Sequence, residues 1–251
     1  MLIHSDGNSN IRQGSCFDFK NLIQEKRPNI ILMNPPYNAQ RKHMPDKYTK
    51  KWAKNKKEDP SKGLYFVKYI MDVLNEVNVS ATLAVLLPVA CAIGTIGEIG
   101  TLKEKILEKS TLDAVFTLPN EVFYPGASVS VCCMIFKVGK KHSDVSNSDT
   151  YFGYCKDDGF RKKKNLGRVE QVDVNTDKGM WMTIEKEWIK LYKDRKAIDG
   201  KSALKKVNHK EEWICEAHMK TDYSLLDDLA FQSTIRNYYS YLIKENGYIN
   251  D

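Results

Sequence analysis

The stretch Ile30-Ile31-Leu32-Met33-Asn34-Pro35-Pro36-Tyr37 decides the fold of this chain. Its apolar first half predicts a buried strand over 29–33, and the two prolines end that strand because each fixes φ and lacks a backbone N–H. A Pro-Pro pair stops many strands that have no function, but a position directly behind an apolar run favours a binding role. In open α/β folds the carboxyl edge of the sheet binds ligands, so we expect 34–37 to lie at such an edge.

The residue types at 34–37 suit a planar amine. The amide oxygen of Asn34 and the carbonyl of Pro35 can both accept a hydrogen bond from one exocyclic NH₂ group. Tyr37 offers a flat face on which the ring that carries this amine can stack. The candidate catalytic residues are therefore Asn34, Pro35, Pro36 and Tyr37.

Length and composition place the chain among globular proteins. Its 251 residues can bury a full core, as one large domain or as one domain with an appendage. Hydrophobic residues make up 42% of the chain, and the mean hydropathy is −0.49. The longest apolar stretch, around 81–93, is too short to cross a bilayer, and we recognise no secretion signal at the start. We therefore expect a cytoplasmic protein without a membrane partner.

The six cysteines indicate reduced thiols. They are scattered along the chain, and no Cys-x-x-Cys pair occurs. Cys132 and Cys133 are adjacent in an apolar run, and neighbouring residues of a strand point to opposite faces, so the two are poorly placed to ligate one metal. The pattern predicts neither a metal site nor a disulfide framework.

Positive charge is concentrated in two short segments. The formal net charge is +7, a mild bias that is compatible with nucleic acid. Between 41 and 57 only Asp46 opposes a run of cations, and the position of this run directly behind 34–37 favours phosphate contact. The candidate DNA-binding residues are Arg41, Lys42, Lys47, Lys50, Lys51, Lys54, Lys56 and Lys57. The second segment, 161–164 with Arg168, is interpreted as a solvent-exposed loop, the usual role of a charge run.

The order of apolar runs in the first part of the chain predicts a doubly wound α/β sheet. Continuous apolar runs that alternate with helices favour a parallel sheet covered on both faces. Strands are expected at 9–14, 29–33, 81–87, 112–118 and 129–138. Helices are expected at 63–77 and 102–109.

The character of the sequence changes after 139. A connection rich in Ser, Asp and Asn is followed by one strand candidate, at 151–154, and by charged or aromatic helices at 184–196 and 224–245. We therefore divide the chain into a first domain, 1–140, and a C-terminal extension, 141–251. We expect the extension to be mainly helical with some strand, and to contact a partner or DNA.

Several stretches carry a family resemblance. The motif at 34–37 resembles the catalytic motif of amino-methyltransferases that act on the exocyclic nitrogen of adenine. The stretch 112–119, Leu-Asp-Ala-Val-Phe-Thr-Leu-Pro, is similar to the "LD-x-V-x-x-LP" stretch typical of the modification subunits of type I restriction systems. The region from 121 to 136 looks like the family's final hairpin, where an aromatic residue caps the target base. The resemblance covers about 10–140 and is weaker over 151–160.

The resemblance implies a DNA adenine-N6 methyltransferase. The target adenine leaves the duplex stack because its amine is otherwise paired. Asn34 and Pro35 accept its two amino hydrogens and aim the nitrogen at the methyl group of S-adenosylmethionine. The transfer is a direct displacement, so positioning supplies much of the rate and no covalent enzyme intermediate forms. Tyr37 and Phe123 would stack on opposite faces of the base, each contributing roughly 1–3 kcal/mol.

The cofactor half of the family pattern is missing from this sequence. The loop Phe-x-Gly-x-Gly is absent, and no Gly-x-Gly occurs anywhere. The glycines at 94, 97 and 100 have a different spacing and follow the catalytic motif. Ser15 stands where the family usually has an Asp that contacts the cofactor adenine. The candidate cofactor-binding residues are Ser15, Cys16 and Asn34.

We therefore expect the chain to begin inside a methyltransferase, as a partial doubly wound Rossmann-like sheet that lacks its first strands. In the family those strands lie centrally, so their loss leaves the 29–33 strand with a bare apolar edge that invites self-association. We expect the isolated chain to bind S-adenosylmethionine poorly or not at all, and to be inactive alone.

The family also implies partners, and two alternatives stay open. The implied partners are double-stranded DNA, a specificity subunit and a restriction subunit, with the C-terminal extension as a docking surface. One alternative is an RNA or protein-glutamine N-methyltransferase, although the basic segment and the long extension argue against a protein substrate. The other is a non-catalytic DNA-binding or assembly module with a methyltransferase-like fold and no cofactor site.

Overall fold

Apolar runs form the main sheet of this protein, and charged segments form two small hairpins. The computed structural model describes residues 11–144, 149–224 and 226–245. The strands of this part are β1 (Ile30–Met33), β2 (Ala81–Pro88), β3 (Ser110–Thr117), β4 (Val131–Val138), β5 (Thr150–Tyr154), β6 (Phe160–Lys163), β7 (Gly167–Glu170), β8 (Val172–Asp173), β9 (Lys178–Gly179) and β10 (Ser202–Lys205).

The helices lie before, between and after the strands of the main sheet. The α-helices are α1 (Lys20–Lys26), α2 (Asp46–Thr49), α3 (Leu64–Glu76), α4 (Val89–Ile93), α5 (Gly97–Leu107), α6 (Trp181–Lys193) and α7 (Asp228–Glu245). Short 3-10 turns occur at Cys16–Asp18, Arg41–His43, His142–Asp144 and Cys215–Ala217.

The main sheet is mixed and has the order β1-β2-β4-β3-β5-β10. The pairs β1–β2 and β3–β5 are parallel. β4 runs antiparallel to both β2 and β3, and β10 runs antiparallel to β5. The prediction of a parallel sheet is therefore wrong for β4, and β10 was not predicted as a strand. β4 follows β3 through the 118–130 loop alone, and neighbouring strands become parallel only through a longer crossover.

One edge of this sheet collects most of the loops that matter for function. The register pairs Met33 with Val85, and Thr117 with Cys132. The carboxyl ends of β1, β2, β3 and β5 therefore lie together with the amino end of β4. We call this edge the site edge. The loops 34–63 and 118–130 both leave from it, so residues far apart in sequence meet there.

The two faces of the sheet are covered unequally. On one face α3 and α5 pack against β2, β3 and β4 over a core that includes Leu83 and Phe136. On the other face α6 packs against β3 and β5, where the ring of Tyr192 contacts the rings of Phe116 and Tyr151.

β1 keeps a free apolar edge. It lies at the end of the sheet, and among the described residues β2 is its only strand neighbour. The side chains of Ile30 and Leu32 are 70% and 82% exposed. The bare apolar edge expected for the 29–33 strand is present in this structure.

The C-terminal extension is not mainly helical. β5 and β10 belong to the main sheet, and the pairs β6–β7 and β8–β9 form hairpins, while helix is found in α6 and α7. Tyr151 and Ala203 are buried, so the apolar residues of β5 and β10 continue the core instead of starting a new one. The division at 140/141 stays a prediction.

The strand expected at 9–14 is not found over its described part. Residues 11–14 have no strand, and 9 and 10 lie outside the described residues. No described helix is both long and apolar enough to cross a membrane. Within the same residues, no group of three His, Cys, Asp or Glu side chains is arranged to hold a metal ion.

Candidate functional site

The 34–37 motif packs against Gly63, the residue directly before α3. Pro35 is buried, and Gly63 lies directly against it: a Cβ on Gly63 would be 3.1 Å from Pro35 Cγ and 3.2 Å from Leu87 Cδ2. Gly63 also has a φ of 104°, which favours glycine. Any side chain at 63 would therefore push the motif away from the sheet.

A buried carboxylate fixes this turn. Asp59 is fully buried and accepts hydrogen bonds from the backbone N–H groups of Ser61, at 2.8 Å, and Gly63, at 3.0 Å. Burial raises the pKa of Asp59, and the hydrogen bonds to Ser61 oppose that shift. Asp59 thus links the end of the 38–63 loop to the residue that supports Pro35.

Tyr37 and Asn34 contact each other. The hydroxyl of Tyr37 donates to Oδ1 of Asn34 at 3.0 Å. Burial raises the pKa of Tyr37 to about 12, so the hydroxyl keeps its proton at neutral pH. Asn34 is exposed at the site edge, but its amide oxygen already has a donor. An incoming amine must share this oxygen with Tyr37 or displace the hydroxyl.

An open cavity of about 930 Å³ lies beside the motif. It brings together all three predicted cofactor-binding residues, because Ser15, Cys16 and Asn34 line it. The cavity also contains Asp18, which the sequence reasoning missed. The 3-10 turn Cys16–Asp18 places this exposed carboxylate beside Ser15, with the Asp18 N–H donating to the Ser15 carbonyl at 3.0 Å. An acid three residues after Ser15 was the available signal.

The groups in this cavity fit the adenosine part of a nucleoside cofactor. They combine the Ser15 hydroxyl and the Asp18 carboxylate with the rings of Phe17 and Phe66, whose centroids are 4.9 Å apart. Burial raises the pKa of Cys16 to about 11, so it remains a thiol and adds no charge. Such a mixture of polar groups and flat apolar walls is typical of small-molecule sites.

The basic loop, 38–63, is ordered by its own arginine. The guanidinium of Arg41 donates to the carbonyls of Thr49, Ala53 and Lys56 at 2.8–3.3 Å. It also lies over the Trp52 ring, 5.8 Å from its centroid. Arg41 is thus turned into the loop, away from any ligand outside it.

The predicted DNA-binding lysines of the basic loop are exposed on its outer surface. The ammonium group of Lys47 lies 5.0 Å from the Tyr48 ring centroid and 5.5 Å from that of Tyr69. The remaining predicted DNA-binding side chains are exposed: Lys42, Lys50, Lys51, Lys54, Lys56 and Lys57.

Phe123 lies in the 118–130 loop, which leaves the site edge after β3. Backbone hydrogen bonds from Tyr124 to Glu121 and from Ala127 to Phe123 make this loop a series of turns. Among the described residues, no ring contact joins Phe123 to Tyr37, so the pairing of these two rings across a base stays a prediction.

Comparison with known proteins gives one family and several relatives. A family model described as "N-6 DNA Methylase" matches residues 1–212. The type II restriction enzyme and methyltransferase RM.BcgI of Heyndrickxia coagulans is 28% identical over 244 residues, which are 96% of this chain and 34% of that protein.

The comparison with solved structures also gives matches to two restriction-modification subunits. The type I methyltransferase subunit of Streptococcus thermophilus is 24% identical, with a TM-score of 0.47, over 70% of this chain and 34% of that one. A modification subunit of a putative type I restriction enzyme from Vibrio vulnificus is 16% identical, with a TM-score of 0.47, over 77% of this chain and 40% of that one. The chain thus spans between about a third and two fifths of the length of these relatives.

Proposed function

This chain belongs to the N-6 DNA methylase family, and we propose that it carries the target-base part of a DNA adenine-N6 methyltransferase of a restriction-modification system. The family uses S-adenosylmethionine. The relatives named above are a restriction enzyme with methyltransferase activity and two subunits of type I systems, which supports DNA as the substrate of this chain and further subunits as its partners. Specificity and restriction subunits are the proposed partners, and the cytoplasm is the proposed location.

The observation that carries this proposal is the pair of acceptors that follows β1 at the site edge. The Asn34 oxygen and the Pro35 carbonyl follow β1 directly, and Gly63 supports Pro35 from below. An adenine turned out of the duplex would donate its two amino hydrogens to these acceptors, leaving the nitrogen lone pair directed away from them. Bound S-adenosylmethionine supplies an electrophilic methyl carbon. The two acceptors would orient the adenine nitrogen for transfer of that methyl group, and the amino proton lost in the transfer would pass to solvent.

Positioning is the main contribution of this chain to the reaction. A misplacement of the acceptors by about 1 Å can lower a rate roughly 10²-fold, which is why the packing of Gly63 against Pro35 matters. Tyr37 is proposed to stack on the base, and Phe123 on its opposite face. Before the base arrives, the Tyr37 hydroxyl satisfies the Asn34 oxygen.

Ser15, Cys16, Asp18 and Asn34 would hold the cofactor in the 930 Å³ cavity. The sequence offers no Gly-x-Gly turn to complete that site. We propose that a polypeptide with such a turn pairs with the free edge of β1, and that this chain alone transfers no methyl group. The partial Rossmann-like sheet is part of the same proposal.

Methyl transfer with a product analysis tests this function. The chain is incubated with labelled S-adenosylmethionine and DNA, first alone and then together with a polypeptide that carries a Gly-x-Gly turn, and the digested nucleosides are identified by mass spectrometry. We expect N6-methyladenine in the second arrangement. Asn34→Ala should lower its rate at least about 10²-fold, because the amine loses one of its two acceptors. Equal rates for the wild type and Asn34→Ala would contradict the proposed role of the motif.

Tyr37→Phe is the matched variant, because it keeps the ring and removes only the hydroxyl. A neutral hydrogen bond contributes about 0.5–1.5 kcal/mol, so freeing the Asn34 oxygen should lower KM for DNA by up to about tenfold while kcat changes little. A rise in KM would show that the hydroxyl assists base binding.

The same assay separates the alternatives. Label in RNA or in protein glutamine would identify one of the other N-methyltransferases. Salt-dependent DNA binding without methyl transfer in either arrangement would favour the non-catalytic module, which the missing Gly-x-Gly turn makes the second candidate.

A further inference from the structure

A cation-rich hairpin, β6–β7, lies beside the loop that carries Phe123. The ammonium group of Lys162 lies 4.3 Å from the Tyr124 ring centroid and 3.7 Å from Glu121 Oε1. On the other strand, a Cβ on Gly167 would be 4.0 Å from Pro125 Cδ. The hairpin and the 118–130 loop therefore form one continuous surface at the site edge.

The fold neutralises three of the five cations of this hairpin. Lys162 pairs directly opposite Arg168 across the two strands, and like charges in that position are destabilising. Arg168 is compensated by both carboxylate oxygens of Asp158, at 2.7 Å, in a largely buried pair. Glu121 compensates Lys162. Arg161 has an exposed partner in Asp157, at 3.1 Å.

Lys163 and Lys164 are left without a carboxylate partner in the described part of the chain. Both are exposed at the point where the hairpin turns. The turn is tight, since Asn165 and Gly167 have φ values of 64° and 78°. The turn of the hairpin thus carries two uncompensated lysines, while the other cations of the hairpin each have a carboxylate partner. Among the described residues, these two lysines are the cations of the hairpin that remain available to an anionic ligand.

We propose that Lys163 and Lys164 bind the phosphate backbone of duplex DNA next to the target base. This inference rests on the proposed DNA substrate. The hairpin contacts the loop that carries Phe123, and that loop shares the site edge with 34–37, so the hairpin and the proposed base site lie at the same edge of the sheet. Lysine suits this role because its point charge binds a phosphate without fixing its orientation. The sequence alone favours an ordinary exposed loop here, and the distribution of the counter-charges reverses that interpretation.

The salt dependence of DNA binding tests the proposal. The affinity of the 251-residue chain for a fluorescent duplex is measured by anisotropy at several salt concentrations, for the wild type and for the double variant Lys163→Gln/Lys164→Gln. Each lost phosphate contact lowers the slope of log K against log salt by roughly 0.9, so the double variant should have a slope shallower by roughly 1.8. Its affinity near 0.1 M salt should fall by roughly tenfold or more.

The control carries the same charge change at the opposite edge of the sheet. Lys140 and Lys141 are adjacent, exposed lysines just after the carboxyl end of β4. Lys140→Gln/Lys141→Gln should leave the slope within experimental error. Equal losses in the two double variants would show an effect of net charge alone and overturn the proposal.

The remaining outcomes separate this inference from the proposed function. Normal DNA binding with an unchanged slope in the hairpin variant would overturn the hairpin proposal and leave the DNA substrate in place. If the wild-type chain bound no duplex at any salt concentration, both proposals would fall. Circular dichroism and thermal unfolding check that each variant is folded, as expected for substitutions of exposed side chains.

Discussion

The basic loop, 38–63, and the hairpin, 160–170, both carry many cations and both lie at the site edge, yet the fold uses their charges differently. In the loop the Arg41 guanidinium binds three backbone carbonyls. In the hairpin the Arg168 guanidinium binds both oxygens of one carboxylate, that of Asp158. In each segment one arginine is turned toward fixed acceptors of the protein, carbonyls in the loop and a carboxylate in the hairpin, while the exposed lysines face solvent.

The physical difference between the two side chains explains this division. Arginine has five donors in a planar fork and is weakly hydrated, so it can satisfy several fixed acceptors at a time. Lysine is a strongly hydrated point charge that remains at the surface at little cost. The charge of a segment therefore says less about DNA contact than the number of its lysines that the fold leaves unpaired.

The largest expected effect follows from removing the carboxylate inside the hairpin. Asp158→Asn leaves the largely buried Arg168 without its counter-charge, and breaking such a pair by removing one partner costs about 3 kcal/mol in unfolding free energy. Urea unfolding measures this loss. Asp157→Asn is the control because its pair with Arg161 is exposed, and it should cost less than about 1 kcal/mol. Equal losses of unfolding free energy in the two variants would contradict the expected difference between the buried Arg168 pair and the exposed Arg161 pair.

Arg41→Ala should have the next largest effect. It leaves three carbonyls of the basic loop without a donor, which we expect to cost about 2 kcal/mol in unfolding free energy. Arg41→Lys should recover only part of this loss because one ammonium group cannot reproduce the planar fork. Lys50→Ala, an exposed control in the same loop, should stay within about 0.5 kcal/mol of the wild type by urea unfolding. A full recovery by lysine would contradict the proposed role of the fork.

Lys103 is the exception that can break the comparison, since it is a lysine and fully buried. Its ammonium group donates to the carbonyls of Ala92, Gly94 and Glu211 at 2.8–3.0 Å and lies 4.3 Å from the Trp213 ring centroid. Burial lowers the pKa of Lys103 to about 8. Lys103 thus donates to three backbone carbonyls, as Arg41 does in the basic loop, but a lysine can lose its proton.

The pH dependence of the free energy of unfolding tests whether Lys103 loses its proton in the folded chain. The unfolded chain holds the Lys103 proton up to about pH 10.4, so between pH 8 and 10 it binds more protons than the folded chain does. The free energy of unfolding should therefore rise with pH in that window, by about 1 kcal/mol per pH unit. Lys103→Met should lack this contribution in urea titrations at pH 7, 8 and 9. Identical pH profiles for the two proteins would show that Lys103 stays charged.

Much of the fold could be predicted from the sequence because apolar runs specify the inner strands. The expected strands at 29–33, 81–87, 112–118 and 129–138 match β1 to β4 within two residues at each end. The hairpin β6–β7 was not predicted as two strands, because its residues are charged and it packs against the 118–130 loop, which is distant in sequence. The helix expected at 102–109 begins earlier in the structure, because α5 also includes Gly97 and Gly100. Gly100 is needed there because a Cβ would lie 2.3 Å from the Thr95 carbonyl oxygen.

The candidate site was only partly predictable, for a different reason. A strand followed by Asn-Pro-Pro-Tyr specifies where the backbone goes, and the structure places Ser15, Cys16 and Asn34 around one cavity. The contact from the Tyr37 hydroxyl to Asn34 depends on a side-chain rotamer, which no sequence pattern encodes. The inward direction of Arg41 depends likewise on carbonyls up to 15 residues away.

The smallest expected effect concerns a lysine that lies between the two classes. Lys47 is exposed, but its ammonium group lies over the rings of Tyr48 and Tyr69, and such contacts contribute about 0.5–1 kcal/mol at the surface. A phosphate must compete with these rings, so Lys47→Gln should lower the salt slope of DNA binding by less than Lys50→Gln, for which we expect roughly 0.9. The anisotropy titrations that test the hairpin measure both variants. If the two variants change the slope equally, the ring contacts of Lys47 do not weaken its binding to DNA. In that case only lysines bound to carbonyls or carboxylates are prevented from contacting a phosphate.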